Sequence, residues 1–137
     1  MKNNCLKDFV LIALFLCSVV SANAQKNEVL PLNRLSEAHE YLSLEEAIQN
    51  KSEVVRLTLR ALDLETIPEE VWTLPNLQWL KLSNNRIKTI PDEIVRLPKL
   101  QILDMKNNEL EELPDAIGHL SLLKELHLTG NRIATVS

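Results

Sequence analysis

Apolar side chains return at a fixed interval over most of this chain. Leu77, Leu80, Leu82, Ile87, Ile90, Ile94 and Leu97 are repeated 23 residues later as Leu100, Leu103, Met105, Leu110, Leu113, Ile117 and Leu120. Val54–Asn76 precedes them with the same spacing, and a shorter copy, LKELHLTGNRIATVS, starts at Leu123. Within each copy the pattern changes period. Leu80 and Leu82 alternate with Trp79, Lys81 and Ser83, which predicts a short strand with one buried face. Pro91 and Pro114, followed by Asp92-Glu93 and Asp115, mark the start of a short helix whose positive end favours acidic residues, and Pro68 with Glu69-Glu70 does the same in the first copy. Pro75 and Pro98 limit how far those helices run. A constant period in the range of about 20–50 residues marks a solenoid, whose units bury their apolar sides against their neighbours. The product of such a fold is a surface, not a pocket.

The register is LxxLxLxxNxLxxLPxxIxxLxx. In the second copy it is filled by Leu77, Leu80, Leu82, Asn85, Ile87, Ile90, Pro91, Ile94 and Leu97, and in the third by Leu100, Leu103, Met105, Asn108, Leu110, Leu113, Pro114, Ile117 and Leu120. In the first copy Leu62 stands in place of the Asn, a departure expected of a terminal repeat. The pattern resembles the leucine-rich repeat family in its 23-residue form, over residues 54–137. The resemblance implies an α/β fold: a right-handed solenoid forming a short arc, with a parallel sheet on the concave side and short helices on the convex side. Asn85, Asn108 and Asn131 recur where the chain leaves each strand, and a side-chain amide both donates and accepts there. The repeats run 54–76, 77–99, 100–122 and, in part, 123–137.

Upstream, Ser43 and Glu46 form an S-x-x-E capping box, with Leu44, Ala47 and Ile48 on one helical face. Residues 43–53 are therefore expected to form an N-terminal cap helix over the first repeat, with Trp72 packed beneath it. Residues 25–42 read as a lead-in, flexible around Val29-Leu30-Pro31, with a helical turn or two within Asn33–Tyr41. Residues 1–24 read as a signal peptide: Lys2 and Lys7, a twelve-residue apolar stretch from Phe9 to Val20, and Ala22-Asn23-Ala24 before Gln25. That stretch is short of the roughly 20 residues a membrane span needs. Leu16 before Cys17 departs from the small residue that bacterial lipoproteins carry.

Both cysteines, Cys5 and Cys17, fall within that segment, so the processed chain would have neither disulfide nor thiol chemistry. Removing residues 1–24 takes away Lys2, Lys7 and Asp8, leaving 13 basic and 18 acidic residues and a formal charge of −5. An acidic balance argues against nucleic acid, and the absence of a basic amphipathic stretch argues against membrane-surface binding. Periplasm, cell surface and secretion are all consistent with export.

Enzyme motifs are not found. His39-Glu40 opens like a zinc-protease motif, but Ser43 stands where the second His is needed. His119 and His127 lie in unrelated contexts, and Gly118 and Gly130 form no phosphate loop. No metal, cofactor or catalytic set is expected. Asn50-Lys51-Ser52 matches a glycosylation sequon, a triplet common by chance, and reads better as a helix C-terminus. The outward strand positions instead form columns: Arg56, Trp79, Ile102, Glu125, and beside it Thr58, Lys81, Asp104, His127. Trp79 and Ile102 are expected as a water-facing apolar pair ringed by charge, the arrangement of a binding hot spot. The resemblance then implies non-catalytic protein recognition on the concave face, with these eight residues as the contact set. The other reading is an assembly role: the fourth copy ends before its convex helix, so Leu126-His127-Leu128 would be an open edge able to pair with a second copy or another protein. A piece of a longer array is the third.

Overall fold

A computed structural model describes residues 28–136, with side chains described through Ala134. The expected signal peptide lies outside the described residues.

Each repeat contributes one three-residue strand: β2 (Arg56–Thr58), β3 (Trp79–Lys81), β4 (Ile102–Asp104) and β6 (Glu125–His127). They pair in parallel, and Arg56, Trp79, Ile102 and Glu125 stand side by side, as do Thr58, Lys81, Asp104 and His127. The ladder continues past each strand, with Leu59 N–H to the Lys81 carbonyl at 2.8 Å and Leu82 N–H to that of Asp104 at 2.8 Å. The inward Leu57, Leu80 and Leu103 are fully buried, and Met105 replaces Leu82 in the stack without gaining exposure. Burial falls off in the fourth repeat, where Leu123, Leu126, Leu128 and Ile133 are only partly buried against the core. Among the described residues no later repeat covers them.

On the convex side the chain forms 3-10 helices η1 (Glu69–Thr73), η2 (Asp92–Arg96) and η3 (Asp115–His119), each entered from a proline in extended backbone. Five residues between that proline and the next inward leucine leave room for little more than one turn, and the tighter spiral spans the gap. A second small sheet pairs β5 (Glu112–Leu113) with β7 (Thr135–Val136).

The asparagines stitch successive turns. Asn85 Nδ2 donates to the Leu59 and Leu82 carbonyls, both at 2.8 Å, and its Oδ1 accepts from Leu62 and Leu64 N–H. Asn108 bridges Leu82, Met105 and Ile87 in the same way, and Asn131 bridges Met105, Leu128 and Leu110. Leu62 needs no asparagine of its own because Asn85 reaches back to its turn.

The N-terminal end departs from the sequence reading. The α-helix there is Leu44–Gln49, with Ser43 Oγ accepting from Glu46 N–H, and it packs against η1, which carries the buried Val71 and Trp72. Ahead of it a two-residue strand, β1 (Glu40–Tyr41), adds a fifth member to the sheet beside β2. Two residues show no alternation, so the pattern carried no sign of it. Tyr41, 6% exposed, fills the inward position beside Leu57. The lead-in is docked, not free, over its described part. A single helical turn, α1 (Leu32–Leu35), buries Leu35 completely, and residues 28–30 hydrogen-bond to Gln78 and Gln101.

Candidate functional site

β1 places Glu40 at the head of the first outward column, in register with Arg56. Its carboxylate becomes the centre of a charged cluster. Oε1 accepts from Thr58 Oγ1 at 2.6 Å and from Lys81 Nζ at 3.3 Å, and lies 3.3 Å from Arg56 Nη2. The Thr58 hydroxyl stabilises the ionised form most, Lys81 and Arg56 add to it, and partial burial opposes them. The net effect holds the Glu40 carboxyl below the ordinary carboxylate value.

The two cations it holds sit over the ring of Trp79, Arg56 at 4.3 Å and Lys81 at 4.4 Å from the centroid. Both are within reach of the ring quadrupole. Arg56 Nη1 also donates to the Ser36 carbonyl at 2.8 Å, tying the chain just after α1 to the sheet. Trp79 is thus stacked and half-buried, and Ile102 is 5% exposed. This corrects the water-facing apolar pair expected of Trp79 and Ile102. The residues immediately before them, Gln78 and Gln101, hold the 28–30 segment, so this end of the concave face is already occupied.

The other half is open. Glu125 Oε2 and His127 Nε2 lie 3.1 Å apart with side chains 44% and 37% exposed, and Asp104 Oδ1 accepts the Lys106 N–H at 3.1 Å. The eight sequence-selected residues therefore fall into two groups: Arg56, Thr58, Trp79, Lys81 and Ile102 engaged within the chain, and Asp104, Glu125 and His127 facing out. Glu40, Gln78 and Gln101 were missed. Glu40 follows His39 in what looked like a failed metal motif, and the glutamines stand at unspecified positions of the repeat. Among the described residues, no group of three or more His, Cys, Asp or Glu is placed to hold a metal ion, and no helix is long and apolar enough to cross a membrane.

A family model described as leucine rich repeat matches residues 52–110 and, overlapping, 75–133. The chain belongs to the leucine-rich repeat family. Solved structures agree on the fold. The leucine-rich repeat domain of APL1B aligns over 89% of this chain and 36% of that one, with a TM-score of 0.61 and 29% identity. The plant peptide hormone receptor RGFR1 in complex with RGF2 aligns over 70% and 15%, with a TM-score of 0.55 and 36% identity. A chain of the BIR3–SERK2 complex from Arabidopsis thaliana aligns over 56% and 43%, with a TM-score of 0.52 and 34% identity. This leucine-rich repeat chain spans less than half the length of each. No curated protein matches it in sequence.

Proposed function

We propose that this chain is an exported, non-catalytic recognition module that binds a protein partner on its concave strand face. The observation that carries the reading is the register of the outward columns, which sets four repeats side by side on one face and leaves Asp104, Glu125 and His127 open at its far end. Similarity to a chain of the BIR3–SERK2 complex and to a receptor in complex with RGF2 supports a protein as the ligand class. Surfaces of this kind draw specificity from charge placement. Two carboxylates beside a histidine suit a partner with a basic patch, and binding should weaken with salt.

Affinity capture from the exported fraction tests it. Asp104→Lys combined with Glu125→Lys should abolish recovery of proteins that the wild-type chain retains, with the melting transition unchanged. Recovery of the same proteins would remove the concave face as the site. Export is checked by sequencing the N-terminus of the accumulated product, which should begin at Gln25. A second reading, self-assembly through β6, is favoured by the partial exposure of Leu126 and Leu128. Sedimentation that yields only monomer at high concentration would rule it out.

A further inference from the structure

The position just before each strand is occupied in turn by Val55, Gln78, Gln101 and Lys124. It lies outside the leucine pattern, yet Gln78 and Gln101 are both fully buried. Their side chains act as main-chain surrogates. Gln78 Nε2 donates to the Glu28 carbonyl at 2.8 Å while its Oε1 accepts the Leu30 N–H at 2.8 Å. That is the pair of bonds a neighbouring strand would make to residues i and i+2. Gln101 begins the same clamp one repeat further on: Nε2 donates to the Leu30 carbonyl at 2.7 Å and to Gln78 Oε1 at 2.9 Å. The clamp is not finished, because Gln101 Oε1 is buried and has no hydrogen-bond partner. By the same spacing the donor would be the Leu32 N–H, but the chain turns at Pro31 and Leu32 opens α1. A buried acceptor without a donor is costly and calls for an explanation.

Resting on the recognition reading above, we propose that Gln78 and Gln101 form a main-chain-reading site for an extended polypeptide, and that residues 28–36 are a self-ligand occupying it. A partner strand that stays extended past the position of Leu30 supplies the next N–H to Gln101 Oε1, which the self-ligand leaves unpaired. Recognition through main-chain groups accepts many sequences, so specificity comes from the side chains alongside. Those stand beside the self-ligand. Arg56, tied to the Ser36 carbonyl, stacks on Trp79, whose Nε1 is likewise buried and unpartnered. Leu35 and Ile102 are buried apart from the core of the repeats. Displacing the segment frees Arg56, Trp79 and Ile102 together, and the concave face becomes continuous from β2 to β6.

The test uses the full chain carrying Trp72→Phe, so that Trp79 alone reports, and a fluorescein-labelled peptide of residues 28–36, EVLPLNRLS. Leu30→Pro removes the N–H that Gln78 accepts. It should make Trp79 more accessible to acrylamide and tighten peptide binding by about ten-fold or more, because the tethered competitor no longer fills the site. Adding Gln78→Ala and Gln101→Ala should then weaken the peptide by about ten-fold or more. Equal peptide affinity with and without Leu30→Pro, or peptide binding indifferent to the two glutamines, would overturn the proposal. Should Leu30→Pro fail to fold, Gln78→Ala with Gln101→Ala must by itself raise quenching of Trp79, and unchanged quenching overturns the proposal equally. Because the peptide is the chain's own, this outcome is independent of partner capture. Peptide binding indifferent to Leu30→Pro or to the two glutamines, with capture still sensitive to Asp104 and Glu125, sinks this inference alone, and the reverse sinks the recognition reading alone.

Discussion

Removing Asn85 and Asn108 together should destabilise the chain by more than the sum of the two single changes. The Leu82 carbonyl receives Nδ2 of both, Asn85 at 2.8 Å and Asn108 at 3.0 Å. Asn108→Ala strands the buried Ile87 N–H, which Oδ1 accepts at 3.1 Å, but leaves Leu82 bonded to Asn85 and Met105 bonded to Asn131. One orphaned buried donor costs about 1–3 kcal/mol, so Asn108→Ala should cost about 2 kcal/mol. Asn85→Ala strands the part-buried Leu62 and Leu64 N–H, which water can partly reach, and the buried Leu59 carbonyl, for about 2–3 kcal/mol. Only the double variant deprives Leu82 of both donors, and its excess should be about 1 kcal/mol. The assay is urea unfolding of the four chains followed by circular dichroism, with the slope checked for equality before midpoints are compared. Against a total of about 5–15 kcal/mol for a domain, the effect is readily measured. Additivity within about 0.3 kcal/mol would refute the shared-carbonyl reasoning.

Leu103→Ala, in a fully buried position between two covered repeats, should cost about 2–5 kcal/mol in the same assay, whereas Leu126→Ala in the half-buried fourth repeat should cost less than half as much. Ala61 has φ 55° where the later repeats place Asn84, Asn107 and Gly130, so Ala61→Asn should raise stability by about 0.5–1 kcal/mol and a lowered melting point would contradict it. Glu40 has its folded-state pKa lowered, so the stability it contributes is present above its unfolded value and is lost as pH falls through the folded one. Stability measured from pH 6 down to pH ~3 should therefore fall less steeply for Glu40→Gln than for the wild type, and parallel curves would show that the cluster around Trp79 does not hold this carboxylate.

The periodic part of this protein was readable without coordinates because each repeat solves the same local problem. Leu80, Leu103 and Leu126 face inward for one reason, alternation along a three-residue strand. The 23-residue interval then sets which outward residues are neighbours, so the columns from Arg56 to Glu125 and from Thr58 to His127 follow by counting. The asparagines likewise announced an unsatisfied turn. What counting could not supply lies at the N-terminal end, where nothing repeats. Glu40 meets Thr58 and Lys81 across separations of 18 and 41 residues, and Leu30 meets Gln101 across 71. Such contacts leave no period in the chain, and a side chain is free to leave its solvent-facing position when a segment from elsewhere covers it. The sequence by itself determined the solenoid, its register and its core, because these are local rules applied repeatedly. Only the tertiary structure decided that Trp79 is clasped by two cations and that Ile102 is buried, because non-repeating residues such as Ser36 and Glu40 dock where nothing in the period places them.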